Sequence, residues 1–219
     1  ITVALAIGMR RMARAKVIIR NLTAVEALGS CTYIASDKTG TLTVNEMTVV
    51  DLYLACGQAY QVTGEGLDLH GEISALADSS PNLAQVDSRE QLKLLVLAGL
   101  LANESYLEKT AQGWQGQGDM VDVAFLVLAA KFGQEYKKQR VLCPELAQIP
   151  YESERAYCAS FNLYQGQPWV FVKGSVEQLL SMCDASQVTP DFKQRIEQQV
   201  NQLAAKGRRV LGLAYGQID

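Results

Sequence analysis

From Ser88 onward the apolar residues change period again and again, and this alternation limits the fold more than any other feature of the chain. Leu92, Leu95, Val96, Gly99 and Leu100 recur at three- and four-residue spacing, the stripe of a helix, and Ser88 with Gln91 has the form of a capping box. That helix is expected to run to about Asn103. A second helix, over 119–132, opens on Asp119 as its N-cap. Strand-like runs follow at 148–149, 157–164 and 169–173, helices at 175–183 and 190–206, and a closing strand at 209–215. The expected fold class is α/β in the α+β sense, a mainly antiparallel sheet flanked by helices.

Before Ser88 the pattern is looser. Residues 1–28 read as helical with a break near 16–20, and 32–35 as a short buried strand ending at Asp37. Two β-prone runs, 47–55 and 58–63, meet at Cys56-Gly57 as a hairpin. Residues 64–87, with Ser79-Ser80-Pro81-Asn82, read as loop, and His70 within it as a solvated side chain. GWQGQGD, 113–119, has neither phosphate-loop nor dinucleotide spacing and is expected to be a β-turn. Tyr33, Phe125, Phe132 and Phe161 are expected in the core.

With 219 residues, 48% of them hydrophobic, the chain can bury a sizeable core. Its net charge of −3 and pI near 5.3 exclude a nucleic-acid-binding body, which needs clustered positive charge. The five cysteines contain no CxxC pair, so neither a zinc site nor a disulfide framework is indicated, and a reducing cytosolic setting fits. ITVALAIGM is too short to cross a bilayer, which takes about 20 residues. Its run into Arg10, Arg11, Arg14, Lys16 and Arg20 has the order found where a span meets the cytoplasm; an amphipathic surface helix is the equal alternative.

Asp37 ends the run 32–35 in the stretch IASDKTGTLTVNEMTVV. A carboxylate at a strand's exit, in a glycine-containing loop, stands where open α/β sheets bind ligands. It can act as a nucleophile on a terminal phosphoryl group, giving an aspartyl phosphate. Lys38 adds positive charge, Gly40 lets the main chain approach a phosphate, and Thr39 and Thr41 bring hydroxyls. Mg²⁺, held by Asp37 and Thr39, would be needed to bring the two anions together. Thr39 cannot protonate a leaving group as an acid could, so a long-lived phosphoenzyme is expected.

SDKTGTLT, residues 36–43, resembles the phosphorylation signature of P-type cation-transporting ATPases, whose catalytic core is of the haloacid dehalogenase type. Upstream, ALAIGMRRMARAKVIIRNLTAVEALG is similar to the end of the fourth transmembrane helix and its stalk in the calcium-pump-like branch. GDMVD, 118–122, resembles the family's Gly-Asp-Pro-Thr-Glu, which implies that Asp122 orients adenine. IPYESERAYCASF, 149–161, resembles Phe-Asp-Ser-Glu-Arg-Lys, with Tyr151 as the stacking aromatic and Arg155 retained, but with Ala156 where a lysine is usual. FVKGSVEQLL, 171–180, resembles Val-Lys-Gly-Ala-Pro-Glu, so Lys173 would lie deep in the adenosine pocket with Gly174 beside it. KGRRVLGLAY, 206–215, resembles Gly-Leu-Arg-Val-Leu-Ala-Leu-Ala, which implies that Arg209 contacts phosphates and Leu211 packs near the base.

The resemblance implies two pieces. Residues 1–46 would be the end of a transmembrane helix, its stalk and the first part of a phosphorylation domain; 47–219 would be a nucleotide-binding domain using ATP and Mg²⁺. It also implies an intact cation pump in a bacterial plasma or inner membrane, with Ca²⁺ the favoured ion. The family's Thr-Gly-Asp, a later phosphate-binding lysine and Gly-Asp-Gly-x-Asn-Asp are not found. This polypeptide, a monomer, is therefore expected to bind ATP without turnover. A soluble haloacid-dehalogenase-type phosphatase and a non-catalytic nucleotide module are the alternatives; Thr39 and the basic stalk speak against the first.

Overall fold

The computed structural model describes residues 2–21, 23–76, 88–111 and 113–218, and divides them into two units, Ile1–Asn45 and Glu46–Asp219. Among its described residues the first unit holds two helices, α1 (Thr2–Arg14) and α2 (Thr23–Gly29). α1 ends where Lys16 turns to φ 63°, with Lys16 N–H donating to Ala13 O and Val17 N–H to Met12 O. That pattern satisfies the last carbonyls and accounts for the break legible at 16–20. No side chain described in this unit is buried. Residues 32–35 correct the sequence reading: they form no strand, and Tyr33 and Ile34 are each 92% exposed, so Tyr33 is not a core residue. β-branched residues favour a strand only when a neighbour pairs with them, and no described residue does so here.

The second unit begins with a three-stranded antiparallel sheet, β1 (Asp51–Tyr53), β2 (Ala59–Val62) and β3 (Ile73–Ala75), in that order. β1 and β2 are the expected hairpin. β3 lies inside the stretch read as loop, and Ser79-Ser80-Pro81-Asn82 lies outside the described residues. His70 is exposed and hydrogen-bonds Asp68 through Nδ1 at 2.9 Å.

α3 (Ser88–Leu101) is followed by a hairpin, β4 (Tyr106–Thr110) and β5 (Gly113–Gln117), then α4 (Met120–Lys131) and α5 (Tyr136–Leu142). Gln91 Oε1 is buried without a hydrogen-bond partner among the described residues, so the expected capping box is not closed through it. The β-turn expected at 113–119 is instead the second strand of that hairpin. The Asp119 side chain accepts from Val121 N–H and caps α4 as read from the sequence. α4 is apolar around its whole girth, and its residues from Val123 to Ala129 are all buried; such a helix must sit inside the core.

The main sheet is β6 (Glu145–Glu152), β7 (Tyr157–Tyr164), β8 (Gln167–Gly174) and β9 (Gly212–Gln217), all antiparallel and in sequence order. Gln165 and Gly166, both at positive φ, join β7 to β8 in the manner of a type I′ turn. α6 (Val176–Met182) starts on Ser175 as N-cap, and α7 (Pro190–Ala205) on Thr189 with Pro190 at its first turn.

Alternation along β8 splits the packing. Phe171 is fully buried among Leu97, Leu100, Phe125 and Leu128 of α3 and α4, and Tyr164 and Trp169 meet it edge-on and stacked. The opposite face carries a smaller cluster of Ala159, Val172 and Leu179, the last from α6, with Phe161 against it. The unit is therefore mixed helices and antiparallel sheets, as the sequence pattern requires.

Candidate functional site

Strand register gathers most of the expected nucleotide residues at one end of the main sheet. Glu152 pairs with Tyr157, Tyr157 with Gly174, and Gly174 with Gly212; one step inward, Cys158 faces Lys173 and Lys173 faces Leu213. Tyr151 lies next to this row on β6, and Arg209 and Leu211 on the segment that leads into β9. The sequence reading began that strand at 209, but pairing starts at Gly212.

Lys173 occupies a buried position on the face shared with Phe171. Its ammonium donates to Asp122 Oδ1 at 2.5 Å and lies 5.5 Å from the centre of the Phe125 ring. The two side chains are only 6% and 15% exposed. A charge taken this far from water needs a counter-charge and further hydrogen bonds to be tolerated, and Asp122 supplies the first. Asp122 is in the first turn of α4, where a carboxylate also opposes the positive end of the helix dipole. Its Oδ2 accepts from Glu104 N–H at 3.2 Å, and its main-chain carbonyl accepts from Asn103 Nδ2 at 2.8 Å. Cys158 is buried beside the pair, and burial raises its thiol above the ordinary value.

Tyr151 is 57% exposed, an aromatic ring presented to solvent at the sheet's edge. Arg155 is exposed in the β6–β7 turn, with its Nε 3.4 Å from Glu152 Oε2. Ala156 holds φ 57°, a conformation costly for a residue with a Cβ. Gly174 permits close approach of the neighbouring strand: a Cβ there would stand 2.5 Å from Ala156 O and 2.6 Å from Tyr157 Cβ. Arg209 is exposed, and Leu211 packs partly buried against the main core. The contribution of Phe125, Asn103 and Glu104 was not legible in the sequence. Phe125 reads as core only, and the other two act through a turn whose shape depends on packing.

In the first unit, Asp37, Lys38 and Thr39 are all exposed. The residues after Asp37 form a tight turn in which Lys38 O accepts from Leu42 N–H at 3.0 Å and from Thr43 N–H at 3.2 Å. Gly40 is at φ 73°, which its lack of a side chain allows. Among the described residues no group of three or more His, Cys, Asp or Glu could hold a metal ion. Asp37 and Thr39 would offer Mg²⁺ two oxygen donors, the hard ligand type that ion takes.

A family model, P-type ATPase, cytoplasmic domain N, matches residues 91–219. The chain belongs to this family. The P-type ATPases it is similar to include cation-transporting ATPase pma1 of Synechocystis sp., 40% identical over 100% of this chain and 25% of the relative. Calcium-transporting ATPase 1 of Lactococcus lactis is 35% identical over 98% of this chain and 22% of its own length. Human calcium-transporting ATPase type 2C member 2 is 32% identical over 99% and 23%. The chain spans about a quarter of the length of these relatives. Among the described residues no helix is long and apolar enough to cross a membrane.

Proposed function

We propose that the end of the main sheet is an ATP site. In this reading Tyr151 stacks on adenine, Asp122 and Lys173 form the pocket's polar wall, Gly174 keeps its floor low, and Arg155, Arg209 and Leu211 complete its rim. The observation that carries it is a buried ammonium, Lys173, paired with Asp122 at the end of the main sheet where β6, two strands away from β8, presents the solvent-facing ring of Tyr151. Apolar walls with a few fixed polar groups are the usual make-up of a small-molecule site.

In the intact protein Asp37 is the phosphoryl acceptor. A carboxylate oxygen of Asp37 bonds to the γ-phosphorus of ATP while the bond to the bridging oxygen breaks, and ADP leaves with that electron pair. Lys38 lowers the negative potential around Asp37. Asp37 and Thr39 would hold Mg²⁺, which would supply charge neutralisation for the transfer. Residues 1–46 then belong to the stalk and phosphorylation domain and 47–219 to the nucleotide-binding domain, which faces the cytoplasm of a membrane-embedded cation pump. Calcium is the favoured ion, since two of the relatives above carry that name. Phosphorylation would bias the membrane sites between two orientations.

On its own the chain is read as a monomer that binds ATP without steady turnover, because the family's Thr-Gly-Asp, later phosphate-binding lysine and Gly-Asp-Gly-x-Asn-Asp are not found in it. ATP titration of the folded chain should weaken about tenfold or more in Tyr151→Ala and Lys173→Ala, a loss of about 1.4 kcal/mol. Unchanged affinity in both refutes the pocket. Radiolabel transferred from ATP and lost in Asp37→Asn would overturn the absence of turnover.

A further inference from the structure

Asn103 is buried just beyond the end of α3, and every polar atom of its side chain is used. Nδ2 donates to Gly99 O at 3.1 Å and to Asp122 O at 2.8 Å, and Oδ1 accepts from Ser105 N–H at 2.9 Å. Its main-chain carbonyl accepts from Arg140 Nη2 at 2.6 Å. Arg140 is itself fixed by Glu145 at 3.1 Å and by the Tyr136 ring at 5.3 Å. The turn from Ala102 to Ser105 is thereby pinned from three sides, and it is this turn that aims Glu104 N–H at Asp122 Oδ2. Asp122 is thus tied at its backbone and its carboxylate to one short segment, and its remaining oxygen holds Lys173.

We propose that Asn103 is a positioning residue that sets the Asp122 carboxylate and, through it, the Lys173 ammonium in the nucleotide pocket. The inference rests on the ATP-site reading given above. An aspartate at 103 has the same shape and keeps the acceptor for Ser105. It cannot donate to the carbonyls of Gly99 and Asp122, and it places a second negative charge beside the pair. A residue that merely closed α3 would affect stability and leave Lys173 where it is.

The test uses the whole chain and two readouts. In the first, acetylation of amines by acetic anhydride is followed at Lys173 and at exposed Lys109. Asn103→Asp should raise the rate at Lys173 by about fivefold or more, as expected when a shielding contact opens locally, while Lys109 is unchanged; an unchanged Lys173 rate overturns the proposal. In the second, ATP affinity is measured in a cycle with Asp122→Asn. Asn103→Asp should cost about tenfold alone and less than about twofold in the Asp122→Asn background. Independent, multiplying losses overturn it. If Asn103→Asp does not fold, Asn103→Ser is read by the same acetylation criterion. Should Tyr151→Ala and Lys173→Ala leave ATP binding untouched, the ATP-site reading falls, and the acetylation rate still decides whether Asn103 positions Lys173.

Discussion

Every hydrogen bond described in the turn after Asp37 closes within five residues, whereas the Lys173 ammonium is fixed by a carboxylate 51 positions away. The first arrangement is local and exposed; the second exists only once α3, α4 and the main sheet have packed. The difference teaches which chemistry a contiguous motif can encode. A turn that presents a carboxylate to water needs few neighbours, but a buried charge needs partners from several elements before its desolvation is offset.

Truncation should separate the two regions most sharply. Phe171→Ala removes a ring with no exposure from the centre of the main core and is expected to cost about 3–5 kcal/mol. Ile34→Ala, at 92% exposure, should stay within about 0.5 kcal/mol. Urea unfolding measures both, and equal losses would break the comparison. Helix caps should give a middle effect: Asp119→Ala and Thr189→Ala each lose a side-chain bond to a helix N–H and should cost about 1 kcal/mol. Thr43→Ala in the Asp37 turn removes two long bonds on the exposed surface, from Gly40 N–H and to Lys38 O, each 3.4 Å, and should cost less than either cap.

The smallest effect is a pH dependence confined to the second unit. Burial raises the thiols of Cys143 and Cys158 above their ordinary 9.0, and the phenols of Tyr136 and Tyr215 move up for the same cause. The unfolded chain therefore loses these protons first, and deprotonation favours unfolding. Stability should be full below about pH 9 and fall as pH rises through the raised values. Urea midpoints taken between about pH 7.5 and 10.5 should decline, and less steeply in a Cys143→Ala, Cys158→Ala double variant. A midpoint that rises with pH would show the sign to be wrong.

Much of the fold was legible where burial imposes a period. β7 spans the residues read as strand at 157–164, α4 follows from its cap and its apolar run, and α7 matches the helix read at 190–206. What was missed has no such signal. α5 buries none of its seven residues and makes no side-chain cap bond. β4 and β5 are mostly exposed, with glycines and charges where apolar residues would alternate. β6 was recognised only at 148–149 because it is an edge strand, exposed along nearly all its length and carrying Pro150. At the candidate site the residues are nominated through family resemblance. The pairing of Asp122 with Lys173 was not, since neither strand nor helix pattern states which ends will meet.

The two-residue turn at Gln165 and Gly166 has a consequence for the order in which that sheet end comes together. Cys158 and Lys173 sit on one hairpin, so bringing them opposite each other closes a short loop. Gly212 reaches Gly174 only after α6 and α7 have been spanned, and loop-closure entropy grows with the length enclosed. The two strands that flank β8 at that end therefore differ in chain distance. The β7–β8 side can assemble from neighbours in sequence, and the β9 side depends on a distant return of the chain.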